Sequence, residues 1–201
     1  NKLMIKIITR HSAEGGSTTI LANLTNMFNN AGYDWGVVGN SYINLTVGEE
    51  KPILAIRLKN SFFGKPNRIT AILNNFEIIS TTTNIRYKLF KIPYSSYIVG
   101  GSWTSVHDNS AMEYNENISS YSDGSCISSG FITAANVGQG QGNQNPTSSA
   151  AQQISSGNTK KNFITQNFDS TDSQSYLLVA KNLDSVNSTG VIASMSFREV
   201  Y

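Results

Sequence analysis

Between Asn84 and Ile92 the chain alternates most clearly: Ile85, Tyr87 and Leu89 fall on one side of an extended backbone, and Arg86 and Lys88 on the other. A strand patterned this way is dry on one face only, so it requires a second layer of structure to cover that face. The same period recurs. Leu54, Ile56 and Leu58 alternate with Arg57 and Lys59, and Val191, Ala193, Met195 and Phe197 alternate with Ser194, Ser196 and Arg198. Further short extended segments are read at Tyr42–Val47, Ile69–Leu73, Phe76–Thr82, Ala111–Tyr114, Cys126–Ala135 and Ser175–Leu183. Turn chemistry separates them: Gly48-Glu49-Glu50-Lys51-Pro52, Gly64-Lys65-Pro66-Asn67, Pro93 and Asn187-Ser188-Thr189-Gly190. Many short strands with regular turns predict a mainly β protein, an antiparallel β-sandwich of jelly-roll type.

The N-terminal part reads differently. Lys2 to Arg10 is a predicted strand, Gly15-Gly16 breaks it, and a short amphipathic helix follows with Ile20, Leu21, Leu24, Met27 and Phe28 on one face. Ser17 or Thr18 can cap that helix, and Asn30-Ala31-Gly32 stops it; its Asn and Thr residues make it dependent on packing. The expected division is a strand–helix docking or linking segment over residues 1–48 and a β-sandwich over 49–201. Within the latter, 136–159 holds almost nothing but Gly, Gln, Asn, Ser and Ala, and is predicted to be a long exposed loop, either a flexible insertion or one ordered by a partner. The chain opens on Asn1, which suggests a processed product or part of something longer.

Composition narrows the chemistry. Asn and Ser supply about a quarter of the 201 residues, charged residues 14%, and aromatics 10%, enough to build a core. A net charge of +2 carried on scattered pairs such as Arg86/Lys88 and Lys160/Lys161 does not suggest a nucleic-acid or membrane surface. No segment has the length of a membrane span or the form of a signal peptide. One cysteine, Cys126, leaves no internal disulfide and is expected to be a small buried residue; with only His11 and His107 beside it, no Cys/His metal site and no cofactor is expected. The four glycosylation sequons at Asn23, Asn44, Asn117 and Asn187 are what so Asn- and Ser-rich a chain contains by chance.

No catalytic motif in the sequence is complete. His107 lies beside Ser105 and Asp108, but neighbours on an extended chain point apart, and His11 with Ser12 and Glu14 reads as a turn. A glycosidase would need two facing carboxyl groups. Glu113 and Glu116 are the nearest pair, with opposite strand faces, and Asp108 or Asp123 could join them only through the fold. Gly138-Gln139-Gly140-Gln141-Gly142 lacks the lysine and the context of a phosphate loop. The expectation is a chain without a catalytic site.

Several pieces taken in order resemble a region of structural proteins of tailed phages, often at the end of a fibre or tail-associated polypeptide. They are Pro52-Ile53-Leu54-Ala55-Ile56-Arg57-Leu58-Lys59, the strand Asn84 to Ile92 ending at Pro93, Trp103-Thr104-Ser105-Val106 leading to Ser110-Ala111-Met112-Glu113-Tyr114, Asp123-Gly124, Ile127-Ser128-Ser129-Gly130 and Ser196-Phe197-Arg198-Glu199. The resemblance runs from about residue 48 to 201, with Phe197 where that pattern would have Trp. It implies a non-enzymatic virion component, a β-rich homo-oligomer with a trimer favoured, that meets other virion proteins and acts in assembly or attachment to a host surface, with a glycan as one possible target. The alternative is a jelly-roll carbohydrate-binding module stacking sugars on Tyr94, Tyr97 and Trp103.

Overall fold

A computed structural model describes residues 32–132, 148–153 and 163–200; the expected N-terminal strand and helix lie outside them. The strands are β1 (Tyr33–Val38), β2 (Ile43–Leu45), β3 (Glu50–Leu58), β4 (Ser61–Phe62), β5 (Lys65–Pro66), β6 (Thr70–Ser80), β7 (Ile85–Ile92), β8 (Ile98–Val99), β9 (Thr104–Ser105), β10 (Met112–Asn115), β11 (Ser120–Tyr121), β12 (Ser125–Ile132), β13 (Ser148–Gln153), β14 (Phe163–Ile164), β15 (Ser175–Asn182) and β16 (Thr189–Val200). The first sheet has β16 and β6 at its centre, with β1 and β2 sharing one edge and β13 and β14 the other. The second runs β12-β7-β15-β3-β10-β9, and the pairing in both sheets is antiparallel.

This is the predicted sandwich. Counting each split edge as one strand and setting aside the β4–β5 hairpin and β8 to β11, the latter an insertion between β7 and β12, the first sheet reads first–eighth–third–sixth and the second reads second–seventh–fourth–fifth. That order is a jelly roll. The inward residues of both sheets form one core, with Leu54, Ile56, Leu58, Leu89, Tyr176 and Leu178 from the second sheet against Leu73, Phe76, Ile78, Val191, Met195 and Phe197 from the first.

Four sequence expectations change. The two segments read at Ile69–Leu73 and Phe76–Thr82 are one strand, β6: Asn74 is an extra residue between the pairs Phe197↔Leu73 and Ser196↔Asn75, and this bulge lets Leu73 and Phe76 face the same core. The boundary expected at residue 48 lies further back, because β1 and β2 are ladder partners of β16 and the C-terminal unit begins at Tyr33. Pro52 sits inside β3, where the ladder is interrupted: the extra residue Ile53 makes a bulge beside it, and the pairing with β10 begins only at Ala55. Within the loop expected over 136–159, Ser148–Gln153 pairs with Asn75–Ser80 as β13. Backbone pairing needs no apolar anchor, which is why Ser, Ala and Gln gave no strand signal.

The ends of the sandwich are fastened by buried amide and hydroxyl side chains. Asn182 is fully buried; its Nδ2 donates to the carbonyls of Leu45 (3.2 Å) and Asn187 (2.8 Å), and its Oδ1 accepts from Thr83 Oγ1 (2.8 Å) and Asp184 N (2.9 Å). All four of its hydrogen-bonding positions are filled. At the other end Asn67 Nδ2 donates to the carbonyls of Lys59 (2.9 Å) and Ala111 (3.1 Å), while buried Glu199 accepts from Ser110 Oγ (2.6 Å) and Ala111 N (2.8 Å). Replacing Asn182→Ala leaves several buried groups without partners and is expected to lower the unfolding free energy by about 3 kcal/mol, read as a fall in the urea midpoint with an unchanged slope.

Candidate functional site

β15 is buried along nearly its whole length, Leu177 and Val179 facing away from the sandwich core. Those side chains, with Ala55 and Ile92, need a cover of their own, and residues 93–124 provide it. A 3-10 turn at Ser95–Tyr97 leads into β8, which pairs with β11, and Ile98 and Ile118 close over the sheet with half-buried Phe90, Tyr97, Trp103 and Tyr121. The chain enters this layer through Gly100 (φ +91°) and Gly101 (φ +69°). A Cβ on Gly101 would meet the Asn117 carbonyl oxygen at 2.7 Å, so no other residue fits without moving backbone.

Under the layer runs a chain of polar groups. Arg57 on β3 lies opposite Glu113 on β10, with Nε donating to Oε1 at 2.6 Å. The Arg57 guanidinium carbon is 4.2 Å from the centre of the Trp103 ring, and Nη1 donates to Ser95 Oγ at 2.9 Å. The Ser95 hydroxyl in turn donates to Asp172, which also accepts from Ser95 N (2.8 Å), Ser96 Oγ (2.7 Å) and Ser173 N (2.8 Å). Burial pushes the Asp172 carboxyl up, but the hydroxyls of Ser95 and Ser96 and the neighbouring amides together hold it below the ordinary Asp value. Arg57 compensates the charge of Glu113, and the second carboxylate, Asp172, is held by hydroxyl and amide donors.

That geometry places most of the residues singled out by sequence. Glu113 is committed to Arg57, and Glu116 accepts from Asn40 N (2.7 Å) and Nδ2 (2.6 Å), so each carboxylate closes a structural contact instead of facing the other across a cleft. Asp108 and Asp123 are exposed. His107 stacks on Trp35 with ring centres 5.1 Å apart; its Nδ1 accepts from Asn109 N at 3.1 Å, and the Ser105 hydroxyl donates to the His107 backbone carbonyl. A nitrogen already accepting a hydrogen bond cannot donate to a carboxylate, so Ser105, His107 and Asp108 do not form a triad. Tyr97 and Trp103 are half-buried anchors of the outer layer, and Tyr94 meets Tyr97 edge-on at 5.5 Å. Cys126, expected to be buried, is exposed, because β12 is an edge strand with a bulge at Ile127. Among the described residues no group of three His, Cys, Asp or Glu side chains is placed to hold a metal ion.

The sequence reading missed two rings. Phe63 is 73% exposed and Phe168 is 85% exposed, both at the end of the sandwich where β3 leaves for β6 and β14 leaves for β15. The turn there is Phe63-Gly64 and not the Gly64-Lys65-Pro66-Asn67 read from sequence: Phe62 pairs with Lys65, and both turn residues have positive φ (+49° and +72°), the signature of a two-residue type I′ hairpin. Asn is the residue that usually precedes Gly in such a turn. A bulky ring in the left-handed region is rare enough that it could not be read as a turn signal. Arg68 ties the two loops together, donating to the Phe168 carbonyl with its guanidinium 5.7 Å from the Phe168 ring.

No protein-family model matches the chain, and no curated protein is similar to it.

Two outcomes check the outer layer. Gly101→Ala is expected to destabilise it by about 2 kcal/mol or more, combining left-handed backbone strain with the clash, and to red-shift Trp103 fluorescence. Because the Asp172 carboxyl is held low, the stability it contributes is complete above the ordinary Asp value and is lost as pH falls through the folded-state value. Urea midpoints measured downward from about pH 6 should therefore drop below about pH 4, and Asp172→Asn should flatten that drop.

Proposed function

We propose that this chain is a non-enzymatic structural component of a phage virion, tail-, fibre- or capsid-associated, that assembles with copies of itself and serves assembly or host attachment. One observation carries the reading: the two outer faces of the sandwich are unlike each other. The outer face of the second sheet is occupied, in one half by the layer of residues 93–124 and in the other by Glu50 bridging Arg86 (2.8 Å) and Lys88 (3.2 Å). The outer face of the first sheet carries no such cover from the described residues.

That open face presents Val38, Ile72, Ile79 and Ile192 among Gly36, Ser194, Ser196 and Asn75. Its charges are few. Asp34 and Arg198 neutralise each other through two bonds of 2.9 and 2.7 Å, leaving Glu77. Small uncharged side chains let a second sheet approach closely, and depletion of charge is typical of interface centres. The number three comes from the phage resemblance. The alternative of a carbohydrate-binding module draws support from Phe63 and Phe168, not from the Tyr94, Tyr97 and Trp103 set that the sequence suggested.

Light scattering is expected to give the mass of three chains, and Ile192→Arg combined with Ser194→Arg to give the mass of one with the β-type circular dichroism retained. A single-chain mass for the unaltered protein at all concentrations tested would remove the assembly reading.

A further inference from the structure

We propose that the end of the sandwich formed by the β4–β5 hairpin and the 165–173 loop is a binding site for neutral hexose polysaccharide, with Phe63 and Phe168 as stacking platforms. The proposal deepens the attachment reading and rests on it for its biological purpose, while its chemistry stands on this loop cluster alone.

Both rings are held out by rigid supports. Phe63 occupies the strained first position of the type I′ turn and packs on Phe62, ring centres 4.2 Å apart. The loop bearing Phe168 is fastened from within: Asn167 Oδ1 accepts from Thr171 N (3.0 Å) and Asp172 N (3.1 Å), Asn167 N donates to Asp172 O (2.9 Å), and Asp169 Oδ1 accepts from Thr171 Oγ1 (2.8 Å). It is also fastened to the hairpin. Ser170 Oγ donates to the Asn67 carbonyl (3.2 Å), and Gln166 Nε2 donates to the Lys59 carbonyl. Loops already fixed in place lose little freedom on binding, and an aromatic side chain with two rotatable bonds adds little more, which is what makes it an effective anchor.

The polar groups on the loops that carry the rings select the ligand. Arg68 spends one donor on the Phe168 carbonyl and presents the rest of its guanidinium to solvent beside the exposed Asp169 carboxylate, with Asn60, Ser61 and Thr171 also exposed nearby in the chain. Exposed flat apolar rings on adjoining loops with hydrogen-bond donors and acceptors around them match a sugar chain, whose rings offer C–H faces and hydroxyl edges. They do not make the continuous apolar surface that a protein hot spot or a lipid layer requires, and Arg68 and Asp169 together leave no net charge beside Phe168 to favour an ionic partner of either sign.

The test is affinity electrophoresis of the whole chain in native gels cast with dextran, mannan or galactan. The expected result is retardation in at least one of them, with Phe168→Ala and Phe63→Asn each weakening affinity by roughly tenfold or more. Phe63→Asn installs the Asn-Gly pair favoured for this turn, and Phe168 is almost fully exposed, so melting temperatures should hold. Absence of retardation in all three gels, or retardation unchanged in both folded variants, overturns the proposal. Light scattering on the same samples separates the two readings: a trimer that shows no retardation sinks the sugar site alone, whereas a single chain whose retardation depends on the two rings keeps the site and sinks the assembly reading.

Discussion

β3 and β15 carry apolar side chains on both of their faces, and neither face can be left to water. Tyr176, Leu178 and Ala180 enter the sandwich core, while Leu177 and Val179 point out of it beside Ala55. Each such aliphatic side chain is stabilised by roughly 1.5 to 3 kcal/mol when fully covered. The insertion between β7 and β12 supplies the cover, which makes the molecule a jelly roll with a third, partial layer. Among the described residues the two outer faces of the sandwich therefore differ, the second sheet carrying this layer and the first sheet none. The one cation beneath the layer, Arg57, is tolerable because Glu113, Ser95 and the Trp103 ring compensate it together.

The abundance of Asn and Ser has a structural use that composition does not disclose. Asn67, Asn115 and Asn182 are all buried, and each binds loop backbone through both ends of its amide. Thr189 Oγ1 does comparable work, meeting Ser80 Oγ at 2.9 Å and accepting from Thr82 N at 3.1 Å. Turns in a sandwich leave many peptide groups without ladder partners, and short amide and hydroxyl side chains can satisfy them where charged ones would need compensation. Low charge and high Asn content are therefore two aspects of one way of closing the sandwich ends.

The aromatic residues divide by a similar logic. Trp35, Tyr97 and Trp103, the kinds of ring usually associated with sugar or partner contact, are engaged within the chain, by His107, the outer layer and Arg57 respectively. Among the described residues the rings left outside include Tyr33, Tyr42, Tyr94 and Phe131, and the two most exposed are phenylalanines at a hairpin tip and a loop tip, Phe63 and Phe168. Neither residue type nor spacing distinguishes the two groups, since burial depends on which loop folds back over which strand. Exposure of Phe63 follows from its turn, and that turn was obscured because Phe replaced the expected Asn.

Sequence by itself determined the β class, the antiparallel sandwich and most of the long strands, because a period of two survives wherever one face is wet, as in β7 and β16. It could not show β13, where Ser, Ala and Gln pair through backbone alone, nor the unity of β6, where a bulge breaks the alternation at Asn74. It also named Glu113, Glu116, His107 and the Tyr94, Tyr97 and Trp103 set as the places where chemistry could sit. Only the tertiary structure decided what each of them touches: contacts between residues many positions apart are set by strand order and register, which no local pattern encodes. The same long-range contacts fasten the 165–173 loop to the β4–β5 hairpin and leave Phe63 and Phe168 as the exposed pair at that end.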